Sequence, residues 1–217
     1  MRLGFRLLVL VLALAAFAAI PWRKASHSEP PPRPHTWAAE VSPVCPWREP
    51  ERDLLALFPT ATNYVTETCV LSSVTSELRK RLGRQMNSDE NPLRIYRVRK
   101  EGQCVGSILV TRVKAEHGGV EIVTGIEPGG AVHGVLIQSQ REPEPIAEVI
   151  ASAAFRAAFV GKGAAAPLRL GDDLPEVPAV ARQSAQSIAD GVHGQLIVLS
   201  FAEVLLANAD PGLQHAR

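Results

Sequence analysis

Runs of β-branched residues alternate with short polar turns through the middle of this 217-residue chain. Four such runs follow one another with no helical period between them, at residues 93–99, 105–114, 120–126 and 132–138. The Gly-containing segment 100–104 separates the first pair, and Glu127-Pro128-Gly129-Gly130 separates the last pair. A Pro-Gly-Gly turn between β-branched runs is typical of a hairpin. Consecutive strands joined by short turns predict an antiparallel sheet.

Helical periods lie on both sides of these runs. Residues 51–58 and 75–82 predict two short helices around a strand at 63–71, with Pro59 and Gly83 as the stop signals of the helices. Further on, apolar residues recur at three- and four-residue spacings over 145–160. A last helix is predicted over 177–189, with apolar residues continuing to about 206. The predicted fold class is therefore α+β, a small antiparallel sheet of hairpins packed against C-terminal helices.

The first 48 residues have a different pattern and are predicted to lie outside the fold. Residues 1–28 place Arg2 and Arg6 ahead of an apolar run from Leu7 to Ile20, which is typical of a signal peptide or an N-terminal membrane anchor. Both alternatives predict export. Residues 29–48 are interpreted as a Pro-rich linker. Residues 49–92 then form an N-terminal helix and strand extension, and residues 93–207 form the main domain.

The composition of the chain argues against several classes of function. The formal net charge is +1, and only three Trp, two Tyr and six Phe are present, so neither a basic nucleic-acid surface nor a platform of stacking aromatics is indicated. No two histidines have zinc-ligand spacing, and the chain has no Walker A sequence. Cys45, Cys69 and Cys104 allow one disulfide with an odd thiol, or three buried thiols, and the sequence does not choose between these alternatives.

The C-terminal third carries an ordered set of short motifs. Arg141-Glu142-Pro143 is followed by Phe159-Val160-Gly161-Lys162 and then by Ser184-Ala185-Gln186-Ser187-Ile188. This order resembles the bacterial FMN-binding domain family, found in flavin-carrying subunits of Rnf-type and sodium-translocating NADH:quinone reductase complexes. In that family a Thr in the last motif forms a phosphoester with FMN.

The resemblance implies FMN as the cofactor and four residues as its site. Ser187 falls on the position of the phosphoester Thr, Ser184 and Lys162 would assist at the phosphate, and Glu142 would lie near the flavin edge. The implied function is electron relay with a redox or membrane-complex protein of the cell envelope. The resemblance also implies a periplasmic protein, or one held at the inner membrane by its N-terminal segment and facing the periplasm.

The last motif departs from the family pattern. Ala185 and Gln186 stand where the family has Gly and Ala, and the acidic residue upstream of the motif is missing near Ala181. These differences count against covalent attachment by a flavin transferase. An alternative function therefore stays open, in which a relative without flavin acts as an envelope interaction or scaffold module. On that alternative Glu142 is an exposed turn residue, and Val180, Ser184, Ser187 and Gly191 form a small-residue face that packs on the sheet.

Overall fold

The computed structural model describes residues 50–209, so the predicted leader, anchor and linker lie outside the described residues. Five strands are present: β1 (Asn63–Cys69), β2 (Leu93–Lys100), β3 (Gln103–Lys114), β4 (Gly119–Ile126) and β5 (Val132–Ser139). The α-helices are α1 (Pro50–Leu57), α2 (Thr75–Leu82), α3 (Glu144–Ala151), α4 (Ala153–Ala157) and α5 (Arg182–Ala209). Two short 3₁₀ helices, Ser72–Val74 and Ala179–Ala181, precede α2 and α5.

The five strands form one antiparallel sheet in which each strand pairs with its neighbour in the chain. The α+β fold class is confirmed, and the four strands predicted over 93–138 are found as β2 to β5. The strand predicted at 63–71 is β1, which adds to the same sheet beside β2. The extension interpreted at residues 49–92 thus contributes an edge strand and α1 to the structure.

The sheet is covered by a helix on each face, so its central strands are buried on both sides. Val123 packs with Leu54, Leu57 and Phe58 of the α1 segment in one apolar cluster. Its neighbour Ile122, whose side chain points to the opposite face, belongs to the larger cluster that contains much of α5. The strand β4 is accordingly almost continuously buried, as expected for a strand covered on both faces.

The long helix α5 lies very close to the sheet at Gly191. A Cβ added to this glycine would come within 2.5 Å of Val113 Cγ1 and 3.1 Å of Ile122 Cδ1. The predicted close approach of a small-residue face is thus confirmed at Gly191. It is wrong for Val180, which precedes α5 and is 54% exposed.

One helical stretch in the described part of the chain, Ala179–Ala209, is long and apolar enough to cross a membrane. In its most apolar 18-residue window, 44% is buried within the protein. Length and composition do not distinguish a core helix from a membrane span. Packing within the protein buries most of the apolar residues of α5 up to Ala202, whereas Val204 near its end is 60% exposed.

The single helix predicted over 145–160 is wrong. Ser152 interrupts it with extended backbone, at φ −61° and ψ 145°, and its hydroxyl accepts a hydrogen bond from Phe155 N. A serine in this position is a favourable N-cap, so the chain ends α3 at Ala151 and starts α4 at Ala153. Phe159, predicted as a core residue, is fully buried after α4.

Candidate functional site

A buried carboxylate, that of Glu142, joins three segments of the chain. Its Oε1 accepts a hydrogen bond from His117 N at 3.0 Å. Its Oε2 lies 3.1 Å from His117 Nδ1 and accepts a hydrogen bond from Ser184 Oγ at 2.9 Å. The turn before β4, the loop after β5 and the first turn of α5 are therefore held at one point. The interpretation of Glu142 as an exposed turn residue is wrong.

The local sequence positions each partner of this network. Gly118 lets the turn before β4 pass close to Arg141, because a Cβ on Gly118 would come within 2.9 Å of Arg141 Cβ. The turn is closed by a hydrogen bond from Ala115 N to Gly118 O. Ser184 is fully buried, and its hydroxyl also accepts a hydrogen bond from Glu116 N at 3.2 Å. Groups of the turn before β4 thus bond to both residues: Glu116 N to Ser184, and the His117 backbone and ring to Glu142.

The surroundings of Glu142 favour its charged form. Burial alone would raise the pKa of this carboxyl, but the His117 backbone N–H, the His117 ring and the Ser184 hydroxyl outweigh burial and lower its pKa below the usual value. With Glu142 ionised, His117 Nδ1 carries the proton that it donates. Hydrogen bonds to a charged acceptor are the stronger kind, so this network is a substantial structural constraint.

The order of the three groups excludes nucleophilic catalysis at Ser184. In a catalytic triad the histidine stands between the hydroxyl and the carboxylate and takes the hydroxyl proton. Here Glu142 stands between Ser184 and His117, and the Ser184 hydroxyl donates directly to the carboxylate. Ser184 has no exposed surface, so a substrate cannot reach it. The exposed member of the network is His117, whose side chain is 46% accessible.

Lys162 lies at the other end of the sheet from Glu142. Its carbonyl accepts a hydrogen bond from Val132 N, at the first residue of β5. Glu142 follows Ser139, the last residue of that strand. The eight residues of β5 separate the two positions by about 20 Å, because two bulges shorten a strand that would otherwise rise roughly 3.3 Å per residue. The structure therefore does not bring Lys162 and Glu142 together.

Ser187 is half-buried in the second turn of α5 and does not begin the helix. It lies four residues before Gly191 and seven before Gly194, so all three share one face of α5. A Cβ on Gly194 would come within 2.7 Å of Arg84 Nη2, which places this face toward the segment after α2.

The loop that follows Lys162 contacts a different side of α5. Gln186 bonds to Leu170 N and Leu168 O, and His193 lies 3.1 Å from Ala164 O. Gln186 also donates to Asp190 one turn later. The long amide that departs from the family pattern therefore fixes this loop against the helix. Of the four predicted site residues, only Glu142 and Ser184 meet.

Sequence reasoning missed His117 as the partner of Glu142. The two residues stand 25 positions apart in the chain, with no periodic signal that links them. A second feature was also missed: Glu121, on β4, is buried with a carboxylate oxygen that has no hydrogen-bond partner.

Across residues 50–209, no three His, Cys, Asp or Glu side chains are grouped as a metal site. Cys69 and Cys104 are both free thiols, and Cys45 lies outside the described residues.

No protein-family model matches this sequence, and no curated protein matches it.

Proposed function

We propose that this chain is a tethered module of the bacterial cell envelope, a relative of the FMN-binding domain that works through protein contacts without flavin. The observation that carries the proposal is the internal use of the residues expected to hold FMN. Glu142 accepts hydrogen bonds from His117 and Ser184, so neither the carboxylate nor the buried hydroxyl faces a ligand. These groups hold the fold together instead.

Two further observations, both about the placement of the expected phosphate ligands, support a module without flavin. Lys162, the expected phosphate ligand, lies about 20 Å from Glu142, given about 3.3 Å of rise per strand residue. Ser187 lies on one side of α5, and the loop after Lys162 contacts another side. The two therefore do not converge on one phosphate. A flavin needs an apolar slot with a few convergent polar groups, and the four expected residues do not provide that convergence.

The envelope part of the proposal rests on the N-terminal sequence. The apolar run from Leu7 to Ile20, after Arg2 and Arg6, would direct export, and the Pro-rich linker would separate the folded domain from the membrane. The partner is then an envelope protein reached from a tether. Fusion of the first 48 residues to a reporter that is active only after export tests this part, and an inactive reporter would contradict it.

Flavin binding is tested on the full-length chain purified in detergent after coexpression with a flavin transferase. We expect no flavin absorbance and no mass increase on the polypeptide, and no quenching of FMN fluorescence when FMN is added to the purified protein. The Ser187→Ala variant is the matched control for covalent attachment. Stoichiometric FMN in the parent protein, lost in Ser187→Ala, would overturn the proposal in favour of an electron-relay flavoprotein.

A further inference from the structure

The two edges of the sheet differ in how they are protected from pairing with another strand. β5 forms one edge, and the segment after α4 covers the start of this strand. Gly161 N donates a hydrogen bond to Val132 O, and Val132 N donates one to Lys162 O, both at 2.8 Å. A covering segment of this kind is one way in which proteins prevent edge-to-edge association.

The strand β5 is also distorted by bulges. Glu121 of β4 pairs with Ser139, whereas the next residue of β4, Ile122, pairs with Ile137. Gln138 is therefore an extra residue on β5, and a second register shift follows near the end of β4. Bulges bend and twist an edge strand, so a partner strand does not fit along it.

The strand β1 forms the other edge of the sheet and has neither protection in the part of the chain that the structure describes. There it pairs only with β2, in a register that runs without a shift from Asn63 to Cys69. Its sequence contains no proline and no lysine, the residues that commonly protect an edge strand. Four of its seven residues are exposed. β1 therefore presents a regular edge whose backbone groups are suited to pair with another strand.

The charge on β1 is neutralised within the protein. Glu67 is its one charged side chain, and Arg97 Nε of β2 donates to that carboxylate at 2.7 Å. Arg97 stands directly opposite Val65, so both side chains lie on the same face of the sheet. Arg97 also bonds to Glu203 of α5, which brings the end of α5 to this edge. Val65 and Val204, the residue after Glu203, are both exposed.

We propose that β1 pairs with β1 of a second copy of this chain, antiparallel and around a two-fold axis at Val65. The two five-stranded sheets then form one continuous sheet through an interface in which both copies use the same residues. Val65 faces Val65 of the second copy, Tyr64 faces Thr66, and Asn63 faces Glu67. These pairs match an apolar group with its like, an aromatic ring with a β-branched side chain, and an amide donor with a carboxylate.

The other registers match less well. An axis at Thr66 places Val65 against Glu67 of the second copy, which sets an apolar side chain against a carboxylate. An axis at Glu67 places the two carboxylates directly opposite each other, and like charges in that position are destabilising. The pairing depends on neither flavin nor export, so its test is independent of the proposed function.

Sedimentation equilibrium of the full-length chain in density-matched detergent measures the association. We expect a reversible equilibrium between monomer and dimer. Val65→Lys sets two ammonium groups opposite each other across the axis, so its association constant should fall by at least about tenfold. Val180→Lys, at an exposed valine before α5, is the matched control and should associate as the parent does. Equal association in Val65→Lys and the parent would overturn the proposal. A monomeric parent, the result expected if another segment or another protein covers this edge, would also overturn it.

Cysteine crosslinking locates the axis. In a background with Cys45→Ser and Cys104→Ser, Val65→Cys places two thiols directly opposite each other, with Cβ atoms about 4.5–5.5 Å apart. A small movement then allows a disulfide. Thr66→Cys places the thiols in diagonal positions about 7–8 Å apart, beyond the reach of a disulfide. Mild oxidation should therefore link Val65→Cys into a dimer on a non-reducing gel and leave Thr66→Cys largely monomeric. The reverse pattern would overturn the proposal.

Discussion

Glu142 and Glu121 are both buried glutamates of this domain, and they differ in their hydrogen-bond donors. Glu142 accepts bonds from a backbone N–H, a histidine ring and a serine hydroxyl. Glu121 has one buried oxygen with no donor at all. A buried carboxylate whose donors come from the protein stabilises the fold, whereas an oxygen left without a donor has lost its water with no hydrogen bond in exchange. The comparison thus separates an acid that stabilises the fold from one whose burial is partly uncompensated.

The largest expected effect comes from removing Glu142. Glu142→Met keeps the length of the side chain but leaves His117 N and Ser184 Oγ without their acceptor, so we expect a loss of about 3 kcal/mol in the free energy of unfolding. Urea unfolding of the parent and the variant measures it. Glu144→Met, at an exposed position, should change the free energy by less than about 0.5 kcal/mol. Equal losses in the two variants would show that Glu142 is not a structural acid.

Ser184→Ala should have the next largest effect. The variant removes a hydrogen bond to a charged acceptor and leaves Glu116 N without its partner, so we expect a loss of about 2 kcal/mol. Ser187→Ala, at the half-buried position one turn further, is the matched control and should lose less than half as much. The same urea denaturation measures both variants.

Acid should weaken the Glu142 network specifically. Folding lowers the pKa of Glu142. The stabilising contribution of this carboxylate is therefore fully present above the ordinary pKa of a glutamate, about 4.3. That contribution is lost as the pH falls below this value through the lowered pKa. We expect the free energy of unfolding to decrease less steeply with acid in Glu142→Gln than in the parent. Parallel curves for the two proteins would contradict this assignment.

The smallest effect is expected at Glu121. Glu121→Met removes a buried oxygen that had no donor, so the desolvation that it suffers on folding disappears together with the charge. In urea denaturation, we expect a free energy of unfolding within about 1 kcal/mol of the parent value. A loss as large as that of Glu142→Met would end the distinction between the two acids.

The sequence predicted the sheet well because its signals are local. β-branched runs and the turn at Glu127-Pro128-Gly129-Gly130 lie within a few residues of one another, so β4 and β5 begin and end within one residue of the predicted bounds. The interruption at Ser152 was missed because a serine inside an apolar helical period also fits an uninterrupted helix. Its role as an N-cap depends on how α4 packs.

The candidate site was less predictable because its contacts join distant parts of the chain. Glu142 and Ser184 were singled out, but their hydrogen bond spans 42 residues, and no spacing rule indicates it. The bulge at Gln138 was also hidden. β4 and β5 have eight residues each, so their lengths give no sign that one residue falls out of register.

The close approach of α5 to the sheet at Gly191 has a consequence for the biogenesis of this chain on the proposed export route. All five strands precede α5 in the sequence, so synthesis completes the receiving surface before the apolar helix emerges. A side chain at position 191 would keep the helix away from Val113 and Ile122. The 31-residue apolar stretch would then stay uncovered, and on the proposed export route it would meet a machinery that selects segments by their hydrophobicity. Gly191 therefore lets this helix reach the protein core, which on the proposed export route would keep it out of the bilayer.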